Sequence, residues 1–524
     1  MRTPTARAAA VAAALGLAAT GCAGGGPAAS GGRGTVTIAV SDDPGTLDPL
    51  NTLGSTAIFM NGFGYSRLVH LGPDGKLVGG VAERWSSTTT SATFTIRQGV
   101  TCQDGSPLTA EDVAAEYEHI ADPRNASPML GLSVPLTAKA TADPAARTVT
   151  VKTTRPSPFI LQMANLLPLV CRKNLANTKA LARTTAASGA YRLAEAVPSD
   201  HYTYVKRPGV TWMPGGADMS AAPEKVVFKV VANESTAANL LMSGQVNAVQ
   251  LNGSDRQRLE AARVAHQGIR SMIGQLLFNE ASGRATGDPA VRRALVTAAD
   301  LGQVGSVASG GRNVPPTNLG EAAPTPCPQD SVTGNVPGHD PARAAADLTA
   351  AGWAKAGGVW TKDGKPLQLT MTYPTTLGPR VTAAVELAVQ QWTAFGVKVS
   401  AKTVTPATVT TVLGSDGWDV AWQPIVVNLP DQLVRFFDGP RLPKGSNFGG
   451  VDNPDYRRLS GQAMAELGTD GCPLWAQAES ALVKRLDVVP FATSEETWYG
   501  KGVTFRLDGA GPLPHTLRRT AAPQ

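Results

Sequence analysis

Charge is scarce in this chain: only 17% of its 524 residues are Asp, Glu, Lys or Arg, and the formal net charge is +6. The basic residues are scattered, with no Lys/Arg stripe and no aromatics interleaved among them, which argues against nucleic acid as a partner. Its six histidines (His70, His119, His201, His266, His339, His515) are dispersed. None forms HExxH or an i, i+4 pair, so the zinc-hydrolase signature is missing. No GxSxG nucleophile elbow occurs. No Walker A loop occurs either, since Gly364-Lys365 runs into Pro366. Acid pairs such as Asp42-Asp43 read as solvated or capping groups in a turn. The sequence therefore signals no catalytic residue, no cofactor and no metal. Beyond the N-terminus no segment approaches the 18 or so uninterrupted apolar residues that suggest a membrane span.

Cysteine is also rare, five in the whole chain. Cys22 stands apart, leaving Cys102, Cys171, Cys327 and Cys472. An even count in an exported protein suggests two disulfides, with three pairings open. No CxxC or nearby His completes a metal site.

Export is expected from the N-terminus. Arg2 and Arg7 make a positive region, Ala8 to Ala19 is apolar, and Thr20-Gly21-Cys22 closes the stretch. Twelve or so apolar residues are too few for a permanent span, which needs about 20. Residues 1–21 read as a signal peptide. Small residues before Cys22 resemble a lipobox, with Ala19 where Leu is usual, so Cys22 is expected to carry lipid; a plain secretory peptide is the alternative. The charge falls from +6 to +4 once Arg2 and Arg7 are removed. Residues 22–34, rich in Gly, Ala and Ser, read as a flexible tether.

About 500 residues remain, enough for two or three domains. The segment from Glu83 to Val113 carries the densest local signal. Phe94 and Ile96 alternate with Thr93, Thr95 and Arg97, the period of a half-buried strand. Asp104-Gly105-Ser106-Pro107 is turn chemistry. Thr109 before Ala110-Glu111-Asp112 reads as a helix N-cap with acids in the first turn. Elsewhere, strands are predicted over 34–40, 148–153, 202–207, 226–231, 245–249 and 419–423. Helices are predicted from Ala57 to Leu68, after Phe159 as far as Leu167, from Asp340 to Trp353 and from Pro379 to Phe395. The last of these lies between strands at 367–373 and 397–403, making a β-α-β unit, preceded by a hairpin turning at Asp363-Gly364.

The order of residues in 83–113, "TFTIRQGV" followed by "DGSPLTAEDV", resembles the oligopeptide/dipeptide/nickel family of extracellular solute-binding proteins. Thr46-Leu47-Asp48-Pro49, Ser188-Gly189-Ala190-Tyr191, Leu277-Phe278-Asn279 and Asp288-Pro289-Ala290-Val291-Arg292 resemble further family stretches in the same order. The resemblance runs from residue 35 to about 500. It implies an α/β, two-lobed, periplasmic-binding-protein-like (type II, cluster C) fold. Its first lobe would combine 35–55, 186–268 and 490–524, with an α/β subdomain inserted over 56–185, and the second lobe would be 269–489. That layout favours Cys102–Cys171 and Cys327–Cys472, because each pair then stays within one domain.

The implied function is a lipid-anchored binding protein on the extracytoplasmic face of the cell membrane. It would be a monomer that delivers a peptide or peptide-like ligand to ABC permease subunits. In the family the second lobe supplies a cleft tryptophan, here Trp422, with Gln423 and Asn428 in the following loop. Trp422 is equally readable as core. Peptide binders usually carry an acid about three residues later to neutralise the ligand ammonium; here that position is Ile425, with Asp431 the nearest following acid. A buried ammonium without a counter-charge is costly, so a ligand with an uncharged or modified N-terminus is expected. Tyr373 and Arg380 flank a loop that faces the cleft in the family. Arg380 either clamps a ligand carboxylate or is a surface arginine at a helix start. Phe448 either touches ligand or anchors its loop, and Asn279 caps or bridges near the hinge. The rival readings are a nickel-chelate or haem carrier, and an exported enzyme or non-transport scaffold on the same fold.

Overall fold

The structure, a computed structural model, describes residues 34–72, 74–186, 188–210, 212–320, 325–405 and 408–520. The expected signal peptide, the expected lipidation site Cys22 and the expected tether up to residue 33 lie outside the described residues.

A ten-stranded sheet organises the described residues. Its order is Lys398–Val404, Gln368–Pro374, Val420–Trp422, Ala265–Phe278, Val488–Gly500, Ala248–Leu251, Thr35–Val40, Lys225–Val230, His201–Lys206 and Tyr191–Val197. The two central strands are much the longest, and they belong to both halves. Val488–Gly500 pairs through its C-terminal part with Ala248–Leu251, and Ala265–Phe278 pairs through its C-terminal part with Val420–Trp422. The expected lobe boundaries at 268/269 and 489/490 fall inside these two strands. Each half then wraps its own core. On one side, Phe59, Phe63, Tyr204 and Phe228 pack as edge-to-face pairs beneath helix Ser55–Gly64. On the other, Trp392, Val385 and Leu295 lie between the sheet and helices Pro289–Ala298 and Gly378–Phe395. The sheet is mixed and the fold is α/β.

A separate four-stranded antiparallel sheet, ordered Ala82–Thr88, Ser91–Ile96, Thr148–Lys152, Lys139–Asp143, forms the centre of the inserted subdomain. The Thr109 cap is complete, because its hydroxyl accepts the Asp112 amide and the Asp112 carboxylate takes the Thr109 amide at 2.9 Å. Helix Ala110–Ala121 also secures the chain around Cys171: Glu116 Oε2 accepts the Val170 amide and Asp112 Oδ1 the Arg172 amide, both at 2.8 Å. Cys102 is bonded to Cys171 and Cys327 to Cys472. Arg207, only 7% exposed, ties the subdomain to the first half. It donates to the carbonyls of Gly189, Thr101 and Cys102 at 2.9, 2.8 and 2.8 Å.

Three elements differ from expectation. The first helix stops at Gly64 rather than Leu68. There the Gly189 backbone presses so close that a Cβ on it would lie 2.3 Å from the Gly64 carbonyl, and the Gly189 amide bonds to that carbonyl. The helix after Pro158 is only Ile160–Met163. Asn165 Oδ1 takes the Leu71 amide and the Leu169 amide bonds to Ser66, so tertiary bonds replace the helical ladder. The strand expected over 245–249 is Ala248–Leu251, since the Asn247 side chain instead holds the Thr37 amide at 2.9 Å.

Candidate functional site

The crossing of the two long strands is where the halves meet. Their ladder is irregular between Met272 and Gln275. At Gly274 a Cβ would meet Ala492 Cβ at 2.6 Å and the Phe491 ring at 2.7 Å, so only glycine lets the strands lie this close. N-terminal of that irregularity, residues 265–271 of the first strand are partly or fully exposed, while on the second strand only 494–496 are uncovered between buried residues. Residues 269–271 and 494–496 are the paired part of the crossing that is uncovered on both strands.

Two acids lie in it, Glu495 and Glu496. Strand alternation puts Glu496 on the same face as Trp498, which packs against Phe59 at 5.1 Å between ring centroids. The Glu496 carboxylate accepts from Gln250 Nε2 at 2.9 Å and from the Ser271 hydroxyl. Burial raises its pKa above the ordinary glutamate value despite these bonds. The sequence reading did not include Glu496; its signal was an acidic doublet, Glu495-Glu496, inside an otherwise uncharged strand.

The opposite face carries contacts between the halves. Glu260 bonds to Arg312 at 2.8 Å and to the Tyr499 hydroxyl at 3.0 Å. Arg256 Nη1 donates to the Glu495 carbonyl at 2.8 Å. Arg380 joins this group, donating to the Asn252 carbonyl at 2.8 Å. Its guanidinium lies against Gly310. Arg380 thus bridges the halves, whatever ligand contact it makes.

The loop after Val420–Trp422 is held from below. Gln275, fully buried, accepts the Ile425 amide at 2.7 Å and donates to the Leu319 carbonyl at 2.9 Å. The Val427 amide bonds to Gly320 at 3.1 Å, and Gln432 Oε1 accepts the Asn428 and Leu429 amides at 3.0 and 3.3 Å. Alternation along this loop turns Ile425, Val427 and Leu429 into the core, each at most 5% exposed. Val426 points outward, 47% exposed, with Gln423, Pro424 and Asn428 partly exposed around it. The outward surface of the loop carries no charge.

The remaining sequence-selected residues are mostly internal. Trp422 is fully buried; its Nε1 donates to the Ile273 carbonyl at 2.7 Å and its ring meets Phe491 edge-on at 4.9 Å. Of the two readings open for it, the structure shows core packing, because the three-residue strand is sandwiched between two longer ones. Asn279 is likewise fully buried, donating to the Trp418 carbonyl at 3.0 Å and accepting the Ala281 amide. Tyr373 is 9% exposed in the second-half core. Phe448 lies against Phe436 at 5.8 Å, the contact of a loop anchor. Gln423 and Asn428 are the two that share the outward loop surface. Asp431 sits below it in a 3-10 turn, with Oδ1 buried and without a hydrogen-bond partner. Burial lifts its carboxyl from 3.8 to about 7.

Comparison with known proteins agrees with this architecture. The sequence model for bacterial extracellular solute-binding proteins, family 5 (middle region), matches residues 76–438. The periplasmic murein peptide-binding protein MppA of Escherichia coli is 26% identical over 231 residues, 40% of this chain and 42% of that protein. The match thus spans less than half of that relative's length. A substrate-binding protein from Microbacterium hydrocarbonoxydans, solved with 4-hydroxybenzoate hydrazide, superposes with a TM-score of 0.73 at 24% identity, covering 93% of this chain and 100% of that one. The ABC-transporter substrate-binding protein CtaP of Listeria monocytogenes gives 0.75 at 18% identity, covering 93% and 99%. At these identities the two structures show a shared fold.

Proposed function

This chain belongs to family 5 of the bacterial extracellular solute-binding proteins, and we propose that it is the solute-binding lipoprotein of an ABC importer. It captures a peptide or peptide-like ligand between its lobes, anchored to the extracytoplasmic face of the membrane through Cys22, and presents it as a monomer to the permease subunits. No catalytic step is assigned to it. Its work is conformational: ligand contacts made only in the closed form shift the lobes toward closure. MppA, named for murein peptides, supports the peptide-like class.

One observation carries the ligand's polarity. The outward loop surface formed by Gln423, Pro424, Val426 and Asn428 holds no acid, and the side chain of Ile425 is turned inward. An ammonium placed there would lose hydration without gaining a counter-charge. The ligand end that meets this loop is therefore uncharged, as in a capped, cyclic or otherwise modified peptide. Native mass spectrometry of the protein purified from its host tests this directly. A co-purified ligand with a blocked or neutral end is expected. A bound linear peptide whose free amine faces the loop overturns the polarity argument, and a nickel chelate or haem overturns the ligand class. A small molecule chemically converted during incubation would instead favour an enzyme on this fold.

A further inference from the structure

We infer that the inserted subdomain is a clasp that positions the ligand loop 423–430, gripping the second lobe through Phe159 and reaching the loop through Gln432. The inference rests on the binding-protein reading above, and it concerns a contact far from the strand crossing.

The two parts meet through one apolar cluster. Phe159 and Met163, from the subdomain, are buried with Cys327, Leu429, Ala463, Cys472 and Trp475 of the second lobe. Phe159 is fully buried and Met163 only 4% exposed, although their own helix is a single turn. A Phe that protrudes from a short turn and is wholly covered must be covered by what it docks against. The platform is braced, since Cys327 and Cys472 are disulfide-bonded and Cys472 begins the helix Cys472–Arg485 that presents Trp475. A backbone bond reinforces the contact, the Gly468 amide donating to the Pro158 carbonyl at 3.0 Å.

The same contact reaches the ligand loop in two ways. Leu429, the loop's last inward residue, is itself a member of the cluster, 2% exposed. Gln432 then links both parts with one side chain. Its Oε1 holds the Asn428 and Leu429 amides, while its Nε2 donates to the Leu132 carbonyl of the subdomain at 3.4 Å. Withdrawing the subdomain removes the packing of Leu429 and one anchor of Gln432 together. The end of the loop at Asn428 and Leu429 is thereby held in part by the clasp, which couples opening of the cleft to loosening of that end.

Hydrogen exchange on the ligand-free full chain tests this without any ligand, so its outcome is separate from that of the transport reading. In the native protein the Gly468 amide and the Asn428 and Leu429 amides are expected to be protected. In Phe159→Ala all three should exchange about tenfold faster or more. The amides of Ser91–Ile96 and Gln368–Pro374, in the two sheets, should keep their protection. An unprotected Gly468 amide in the native chain overturns the clasp. Unchanged protection at 428–429 in the variant overturns its coupling to the loop. If Phe159→Ala loses protection throughout the subdomain sheet, the milder Met163→Ala is read at the same three amides, with a smaller rise in all of them expected and no rise counting against the inference.

Discussion

Replacing Asp431 by Asn should make the protein more stable at neutral and higher pH, and leave it unchanged in acid. The carboxyl sits one residue past Pro430 in a 3-10 turn that follows the loop 423–430, with Oδ1 buried and unpartnered. Burial raises its pKa from 3.8 to about 7, so the folded protein holds this proton more tightly than the unfolded chain does. The sign follows from linkage. Where the native state binds more protons, stability falls as pH rises, here between about 4 and 7, and the loss is complete above the folded pKa. A shift of about three units corresponds to about 4 kcal/mol at 1.36 kcal/mol per unit. The residue as a whole is only partly covered, and solvent reaching its other atoms reduces this to about 2 kcal/mol. Asn has nearly the shape of the protonated acid and never ionises, so the variant escapes the loss. Thermal unfolding followed at pH 4 and pH 8 reads the difference. The melting curves should coincide at the lower pH. At the higher pH the variant should melt about 4–8 °C above the parent, on the scaling for a unit of 150–250 residues. An equal offset at both pH values, or a variant that melts lower at pH 8, would refute the reasoning and imply that Asp431 is ionised and satisfied in the fold.

Arg292 should be among the costliest single replacements. It is fully buried, pairs with Asp487 at 3.2 Å and Glu280 at 3.4 Å, and donates to the Thr286 carbonyl at 3.0 Å. Arg292→Met leaves both carboxylates with only the partly exposed Arg485, at 3.7 and 3.4 Å, and should cost about 3–5 kcal/mol in urea unfolding, whereas a loss below about 1 kcal/mol would mean that Arg485 suffices or that the carboxylates are protonated. Converting Cys327 and Cys472 to Ser opens a closed loop of 145 residues. The double variant should lose about 2–5 kcal/mol, with an unchanged urea midpoint counting against a structural role. Glu496→Gln should abolish any rise in ligand affinity with pH, because only the carboxylate gains charge as its raised pKa is crossed. Isothermal titration with the ligand recovered from the host checks this, and parallel pH profiles for parent and variant would remove Glu496 from the site.

What could be read from the chain in advance was local. Thr109 and Asp112 are three residues apart, and their reciprocal cap needs no distant partner. Asp363 and Gly364 turn the hairpin with φ of +51° and +72°, the left-handed pair such tight turns require. Helix Gly378–Phe395 between two strands could only return the chain in parallel, and Gln368–Pro374 does pair in parallel with Lys398–Val404. The family resemblance supplied the two-lobed layout in the same way, through short stretches kept in order.

The candidate site was less legible because every decisive contact there is long-range. Trp422 belongs to a strand of three residues, Val-Ala-Trp, too short and too apolar for alternation to say which face meets the cleft. Its role is set by the Ile273 carbonyl, 149 residues away in sequence, and by Phe491. Ile425 looked like a missing acid because its place in the order suggested a cleft position. Gln275, 150 residues earlier, fixes its amide so that the side chain turns inward and Val426 faces out. The polarity argument survives that change, since no outward neighbour is charged, but it now rests on the loop's whole surface instead of one substituted residue. Gln432 makes the point most sharply. Within its own turn it is an ordinary capping glutamine, and only the fold, by bringing Leu132 from 300 residues away to its Nε2, makes it a link between the inserted subdomain and the loop. Residues that act between lobes have no local pattern to satisfy, because their partners are chosen by domain placement. Under the proposed lobe-closing mechanism, these are the residues whose contacts change as the lobes move.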